Sequence, residues 1–258
     1  MPRQGELTYF DAIGEGGRQH ALNKPFSDDS CGVEFMRLGS VFALLPPPPA
    51  RILECGCGTG WLSYFLQKRG YDVVGTDVSA HAIDLARANP MFCELDPPEF
   101  IVADSEQLPF DSEFDAVVFY DSLHHAVNEL EALRSAYRAL KPGGVCITSE
   151  PGRGHHGRSQ AVIAQYDVTE KDMPPRYVRR LGRQVGFTKC KVYPRADHLG
   201  RLLFNTPWPS LSRLARLMRR WPFKYLAALF LMMFAKGNYG VAVLTKDREP
   251  QMDADGCR

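Results

Sequence analysis

The sequence predicts one α/β domain with a doubly wound, seven-stranded and mostly parallel sheet. Three observations lead to this fold class. Short apolar runs rich in β-branched residues alternate with amphipathic helical patterns from about residue 50 onward. Turn residues separate these runs at close intervals, which is typical of strand–helix units that share a parallel sheet. The length of 258 residues suits one domain with an insertion better than two independent cores.

The elements can be predicted in chain order. A first helix is expected over 33–45, and it ends at the proline run 46–49, which leads into the first strand. Later helices are expected over 61–68, over 80–88 with Ser79 as the N-cap, and over 129–140, before a Lys-Pro-Gly-Gly turn. The seven predicted strands are 51–54, 72–76, 100–102, 116–120, 144–148, 189–193 and 239–245.

The pattern changes after residue 150. Residues 152–159, rich in Gly, Arg and His, are expected to form a loop, and Thr169 to cap the helix that carries Tyr177 and Leu181. About 40 residues then precede the last strand, which is too long for a plain loop inside a compact domain. The predicted organisation is a single domain over 1–245 with a flexible tail over 246–258. Within the domain, 1–48 form a lid that contains Tyr9, Phe10 and His20, 49–150 the cofactor-binding core, and 197–237 a helical insertion.

Composition excludes some classes of protein. A formal net charge of +1 gives no overall attraction to nucleic acid, and no nucleic-acid partner is predicted. The seven cysteines are odd in number and irregularly spaced, unlike a disulfide framework. The first residues, MPRQGELTYF, lack the basic and then apolar pattern of a signal peptide. We therefore expect a cytoplasmic protein.

A glycine-rich loop joins the first strand to the next helix. Gly56, Gly58 and Gly60 alternate along it, and glycine lets the backbone turn sharply and approach a ligand closely. The spacing differs from the G-x-G-x-x-G of dinucleotide sites, and no Gly-Lys-Ser/Thr of a phosphate loop follows. Glu54 precedes the glycines, where a carboxylate would repel a pyrophosphate but suit a cationic amino group. The loop therefore favours a cofactor with an amino-acid portion.

Two further acids follow the next strands. Asp77 ends the second strand, where a carboxylate can accept hydrogen bonds from a ribose diol. Asp104 follows the third strand and could accept a hydrogen bond from an adenine amine. Each acid alone fits an ordinary turn or cap, but three at successive strand ends indicate one ligand.

These motifs resemble the class I S-adenosylmethionine-dependent methyltransferases of the small-molecule type, UbiE-like branch. The matching segments are ILECGCGTG (52–60), VVGTDVS (73–79), IVADSEQLPF (101–110), FDAVVFYDSLHH (114–125) and LKPGG (140–144). The resemblance implies a Rossmann-like methyltransferase fold, with the helical insertion before the last strand, and S-adenosyl-L-methionine as cofactor. The cofactor-binding residues that it implies are Glu54, Gly56, Cys57, Gly58, Gly60, Asp77, Val78, Asp104, Ser105, Tyr120 and Asp121.

Three residues are candidates for the chemistry. His124 and His125 follow the fourth strand, where members of the family often carry histidines, and His124 is the first choice as a base. Glu150 ends the fifth strand, beside His155, and both could orient a polar acceptor. No metal site is predicted, because Cys55 and Cys57 have no second cysteine pair at zinc-finger spacing. These cysteines are expected to be small residues packed behind the loop.

The insertion leaves the acceptor open. Four arginines and an apolar stripe share 211–221, an apolar run follows over 225–234, and no acid occurs between 200 and 246. The apolar run is shorter than the roughly 20 residues needed to span a bilayer. The segment 211–236 fits a cap over the acceptor, a homodimer interface, or contact with the inner face of a membrane. The leading hypothesis is methyl transfer to a small molecule or glycan, at oxygen. The alternatives are a membrane-resident lipid, lipid-linked glycan or quinone as acceptor, and a non-catalytic module that binds the cofactor or a partner.

Overall fold

A computed structural model describes residues 1–27, 31–197, 200, 204, 223–230 and 240–248. Its centre is the predicted seven-stranded sheet, with strand order β3-β2-β1-β4-β5-β7-β6. β7 lies antiparallel to both of its neighbours, and the other neighbouring strands pair in parallel. The strands are β1 (Arg51–Cys55), β2 (Asp72–Asp77), β3 (Glu99–Val102), β4 (Phe114–Tyr120), β5 (Leu140–Ser149), β6 (Lys189–Pro194) and β7 (Gly240–Thr245).

Helices cover both faces of the sheet, as a doubly wound fold requires. The helices up to residue 139 are α1 (Gln4–Ala12), α2 (Gly14–Leu22), α3 (Cys31–Phe42), α4 (Trp61–Arg69), α5 (Ala80–Arg87) and α6 (Glu129–Ala139). The later ones are α7 (His155–Arg158), α8 (Gln160–Tyr166), α9 (Pro175–Val185) and α10 (Phe223–Phe230).

Two apolar cores fill the space between these layers. On one face, α3, α4 and α5 pack through residues such as Val41, Leu62 and Ile83. On the other face, α6 and α9 pack through residues such as Leu133 and Val178. The predicted caps and periodicities place these faces correctly, and the Ser79 hydroxyl accepts a hydrogen bond from the Ala82 amide at 3.3 Å. This arrangement brings the carboxyl ends of the parallel strands to one edge, where ligands bind in open α/β sheets.

The segment after β5 differs from the sequence prediction. Residues 152–159 are not a plain loop, because they contain α7, and α8 follows at once. Thr169 does not cap a helix. α9 begins at Pro175, because proline at the first helical position has a suitable φ and needs no hydrogen-bond donor. The Thr169 amide instead donates to Glu6 Oε1 of α1 at 2.6 Å, which ties the N-terminal helix to this segment.

Part of the predicted insertion is described by the structure. α10 overlaps its apolar run over 225–230, and Phe223, Tyr225, Leu226 and Phe230 of this helix are exposed. The basic stretch 211–221 and the tail 249–258 lie outside the described residues. Among the residues that the structure describes, no helix combines the length and apolarity needed to cross a membrane.

Candidate active site

The glycine loop turns sharply between β1 and α4. Gly56 has φ +72°, and a Cβ at this position would lie 2.4 Å from the Ser122 Cβ. The amides of Gly56 and Cys57 both donate to the Thr76 carbonyl, at 2.7 and 2.9 Å. The loop is therefore fixed against the end of β2, and a side chain at residue 56 would collide with the segment after β4.

The other loop residues have different positions. Gly58 opens toward α1, and a Cβ there would lie 3.6 Å from Phe10 Cζ. Gly60 was expected to touch the cofactor, but it lies at the start of α4 and packs against Phe100 and Ala86, where a Cβ would come within 2.7 and 3.0 Å. Gly60 is the N-cap of α4, and its left-handed backbone conformation, at φ +76°, favours glycine there. The side chains of Cys55 and Cys57 are buried, which agrees with a packing role.

Glu54 is buried at the end of β1, with 3% of its surface exposed. The Ser63 hydroxyl of α4 donates to Glu54 Oε2 at 2.5 Å. Burial, reinforced by the nearby charge of Asp77 and opposed by the Ser63 hydrogen bond, raises the pKa of Glu54 to about 8. Without a cation beside it, this carboxyl is therefore mostly protonated at neutral pH.

Asp77 braces the loop from the end of β2. Its Oδ2 accepts from the Gly58 amide and its Oδ1 from the Ser79 amide, both at 2.9 Å. Burial raises the pKa of Asp77, although both backbone hydrogen bonds favour the charged form. At the end of β3, the Asp104 carboxylate accepts from the Glu106 amide at 2.9 Å and caps a short turn. Both acids keep oxygen lone pairs for a ligand.

A cavity of about 610 Å³ opens above these strand ends. Glu6, Tyr9 and Phe10 of α1 line its outer side, next to the glycine loop. His20, which was predicted to belong to the lid together with Tyr9 and Phe10, is exposed on α2. The predicted site residues that line the cavity are Glu54, Gly56, Cys57, Gly58, Asp77, Val78, Asp104, Ser105, Tyr120, Asp121, His124 and His125. The lining of this cavity includes two groups of residues, which we call its first and second halves. The first half is the glycine loop with the acids at the ends of β1, β2 and β3, and the second half is the segment from Asp121 to His125 with Glu170.

Sequence reasoning missed an arginine that also lines the cavity. Arg37 of α3 is buried and pairs with Asp121 through both of its terminal nitrogens. It also donates to the Ser149 carbonyl at 2.6 Å and lies 4.3 Å above the ring of Tyr120. Although burial opposes ionisation, this guanidinium holds the pKa of Asp121 well below its usual range. A charged residue on the apolar face of a predicted helix, beside Leu38 and Val41, was the signal that could have revealed it.

His124 lies between two carboxylates in the second half. Its Nδ1 is 2.7 Å from Glu150 Oε2, and its Nε2 is 3.4 Å from Glu170 Oε2. Burial alone would lower the pKa of His124, but hydrogen bonds to both carboxylates raise it to about 10. The ring is therefore cationic at neutral pH. Both ring nitrogens face carboxylate oxygens, and the role of His124 as a base stays a prediction.

Glu150 does not border the cavity, contrary to the sequence expectation. It is buried behind His124, where it accepts hydrogen bonds from the amides of Ser122, Leu123 and His124 at 3.0–3.4 Å. These backbone amides hold the Glu150 carboxylate on the side of His124 that faces away from the cavity. Its contacts make it a group that orients His124 rather than one that contacts an acceptor.

Glu170 was missed by sequence reasoning. It follows the unpredicted helix α8, and its Oε2 lies 2.5 Å from His155 Nε2 as well as near His124. Despite partial burial, these two histidines hold the pKa of Glu170 well below its usual range. Glu170 is one of several acids in a polar segment, and nothing in the sequence indicates that it contacts the two histidines.

His125 completes the group on the side of α1. Its Nδ1 is buried without a hydrogen-bond partner among the described residues and lies 3.6 Å from Glu6 Oε2. The rings of His124 and His125 are 4.0 Å apart. We refer to His124, His125, His155, Glu150 and Glu170 as the histidine–carboxylate cluster.

Comparison with known proteins gives a consistent class. A family model described as "Methyltransferase domain" matches residues 53–148. The chain is 34% identical over 105 residues to the S-adenosyl-L-methionine-dependent Diels-Alderase iccD of Talaromyces variabilis, which covers 38% of this chain and 35% of that protein. It is 30% identical over 161 residues to a ubiquinone biosynthesis O-methyltransferase of Xanthomonas campestris, which covers 61% of this chain and 62% of that protein. The chain thus spans less than two thirds of the length of either relative.

A solved structure shares the fold over nearly the whole chain. It is a methyltransferase of Thermotoga maritima described as a possible histamine N-methyltransferase, with a TM-score of 0.62 and 19% identity. The match covers 95% of this chain and all of that one. The strand order with an antiparallel β7 is that of the Rossmann-like methyltransferase fold. Residues 53–148 are thus similar to the methyltransferase domain family.

The residues present fit the cofactor of this family. Glu54 is a buried carboxyl with one side-chain partner, as expected beside an amino group that supplies the missing positive charge. Gly58 lines the cavity at the loop, and Asp77 and Asp104 present carboxylates at successive strand ends. When bound, S-adenosylmethionine supplies an activated methyl group on sulfur.

Proposed function

We propose that this protein transfers a methyl group from S-adenosylmethionine to a hydroxyl group of a small molecule or glycan. The observation that carries the proposal is that both groups of residues line the same cavity. One half has the acids and glycines that suit the cofactor, and the other has ionisable groups that suit a polar acceptor. The acceptor oxygen forms a bond to the methyl carbon as the carbon–sulfur bond breaks, which leaves S-adenosylhomocysteine and a proton from the hydroxyl.

The choice of oxygen follows from the second half of the cavity. A hydroxyl must lose its proton during transfer, and a positioned acid–base group contributes roughly 10²–10⁴-fold to such a step. The histidine–carboxylate cluster is the set of groups that can manage this proton. Within it, His125 presents a ring nitrogen without a hydrogen-bond partner among the described residues.

An apolar, membrane-resident acceptor such as a quinol is the second candidate. α10 exposes Phe223, Tyr225, Leu226 and Phe230, and an aromatic surface of this kind can contact a lipid interface. The relative from Xanthomonas campestris is named for ubiquinone biosynthesis. A cytoplasmic location on the inner face of a membrane would accompany this acceptor.

The test is formation of S-adenosylhomocysteine with a panel of acceptors. The panel contains a hydroquinone in detergent, a glycoside and a primary amine. We expect turnover with hydroxyl acceptors and a fall in kcat of about 10²-fold in His125→Ala, with an unchanged Kd for S-adenosylmethionine. His81→Ala is the matched control, because this imidazole of α5 contacts Asp11 and is not among the cavity-lining residues.

Three outcomes would change the proposal. Turnover of the amine alone would contradict methylation at oxygen. Turnover of the hydroquinone but not of the glycoside would favour the second candidate. Tight cofactor binding with no turnover of any acceptor would favour the non-catalytic module.

Cofactor binding is expected to release close to one proton at pH 7. Glu54 is mostly protonated when the site holds no cation, because its pKa is raised to about 8, and it ionises beside the cofactor's ammonium group. Affinity should therefore rise with pH by up to about tenfold per unit below pH 8 and level off above it. Isothermal titration in two buffers of different ionisation enthalpy measures the proton count. Glu54→Gln should bind more weakly and release none, and a wild-type enthalpy independent of buffer would contradict the prediction.

A further inference from the structure

The histidine–carboxylate cluster has the composition and geometry of a metal centre. The ring nitrogens of His124 and His125 and a carboxylate oxygen of Glu170 lie within 4.8 Å of one another. His124 Nε2 and Glu170 Oε2 are 3.4 Å apart, close to the separation of about 3.3 Å between two ligands at tetrahedral bonds of 2.0–2.1 Å to zinc. We propose that His124, His125 and Glu170 bind a divalent transition metal ion, with Zn²⁺ as the simplest case.

The groups behind these ligands support the assignment. Metal-binding histidines usually donate their second ring nitrogen to a carboxylate, which fixes the tautomer and the ring orientation. Glu150 Oε2 occupies this position at 2.7 Å from His124 Nδ1, and three backbone amides hold Glu150 in place. His155 Nε2, at 2.5 Å from Glu170 Oε2, supports the carboxylate ligand in the same way.

The charges and a buried ring nitrogen that makes no hydrogen bond among the described residues point to the same position. Two carboxylates, Glu150 and Glu170, converge on the single ring of His124, and a divalent ion in place of its Nε2 proton would balance them. The Nδ1 of His125 is shielded from solvent without a hydrogen-bond partner among the described residues. Arg195 also lines the cavity, but it is paired with Asp197 at 2.7 Å and so already has a carboxylate of its own to neutralise.

A second grouping of possible ligands is less suitable. Asp121, His124 and Glu150 also lie close together, but Asp121 is held by Arg37. Glu150 already accepts three backbone hydrogen bonds, so binding a metal would leave buried amides without acceptors. A metal ion bound by His124, His125 and Glu170 would leave these backbone hydrogen bonds of Glu150 in place.

Three protein ligands would leave a coordination position open toward the cavity, as in catalytic zinc sites. This inference rests on the proposed function, because the open position would bind the acceptor hydroxyl. A zinc ion lowers the pKa of a bound hydroxyl and so would assist its deprotonation before methyl transfer. Two imidazoles with one carboxylate suit zinc, iron and cobalt better than magnesium or calcium, which prefer oxygen ligands.

The test is titration of chelator-treated full-length protein with Co²⁺, followed by its visible ligand-field absorption. We expect one Co²⁺ per chain, displaced by one equivalent of Zn²⁺. Removing a group that supports a metal ligand usually weakens metal binding about 10–100-fold, and we expect this loss for Glu150→Gln. His125→Ala and Glu170→Gln remove proposed ligands themselves and should each weaken Co²⁺ binding at least ~100-fold. His81→Ala should bind like the wild type. Because a variant could fail to fold, each is checked by its Kd for S-adenosylmethionine, which should stay within about twofold.

Absence of stoichiometric Co²⁺ binding would overturn the site, as would unchanged Co²⁺ affinity in both His125→Ala and Glu170→Gln. Metal binding is measured without acceptor, so the two proposals fail separately. Co²⁺ binding without S-adenosylhomocysteine formation would leave the site standing and contradict methyl transfer. Equal turnover in metal-free and metal-loaded protein would leave methyl transfer standing and overturn the metal's role in it.

Discussion

Replacement of Asp77 by asparagine is expected to weaken S-adenosylmethionine binding at least 100-fold. The Asp77 carboxylate accepts one hydrogen bond from Gly58 and another from Ser79, so it holds the glycine loop and the start of α5 together. An asparagine can offer an oxygen to only one of these amides, and its own NH₂ group would face the other. The proposed contact with the cofactor ribose would be weakened as well.

The size of this loss in affinity follows from the negative charge of the Asp77 carboxylate, which accepts these hydrogen bonds. Hydrogen bonds to charged groups contribute about 1.5–3 kcal/mol each, and each 1.4 kcal/mol changes an equilibrium constant tenfold. Loss of one loop contact together with one ligand contact therefore reaches about two orders of magnitude. Isothermal titration gives the Kd, with Asp84→Asn on the exposed surface of α5 as the control. A Kd within a few-fold of the wild type in folded Asp77→Asn would exclude this role.

The sequence predicted the sheet well because the information for it is local. Each strand is a short apolar run, and each following helix begins at a recognisable cap or turn, such as Ser79 or the glycine loop. The acids at the ends of β1, β2 and β3 could be placed for the same reason. In a parallel sheet, successive strand ends lie side by side, so residues far apart in sequence share one edge.

The acceptor half could not be predicted in the same way, because it depends on contacts between distant segments. Glu170 reaches His124 across a segment in which α7 was expected to be loop and α8 was not predicted. Glu150 was correctly placed at a strand end, but backbone amides drew it behind His124. No local pattern distinguishes a carboxylate that faces the cavity from one that faces the backbone.

The second large effect is expected at Arg37. Arg37→Met should lower the free energy of unfolding by about 1.5–3 kcal/mol, the range for hydrogen bonds to charged groups, because Arg37 is buried while the Asp121 carboxylate is partly exposed to solvent. Methionine retains the length of the side chain but leaves Asp121 without its cation. The Ser149 carbonyl and hydroxyl also lose donors, now at 2.6 and 3.0 Å.

Urea denaturation measures this loss, and Arg134→Met is the matched control. Arg134 pairs with Glu131 on the exposed surface of α6, where an ion pair contributes about 0–1 kcal/mol. The double variant Arg37→Met/Asp121→Asn should be more stable than Arg37→Met alone, because the uncompensated charge is gone. This recovery separates the ion pair from simple packing. If the double variant loses the full sum of the two single effects, Arg37 stabilises α3 by packing, and its pairing with Asp121 does not contribute to stability.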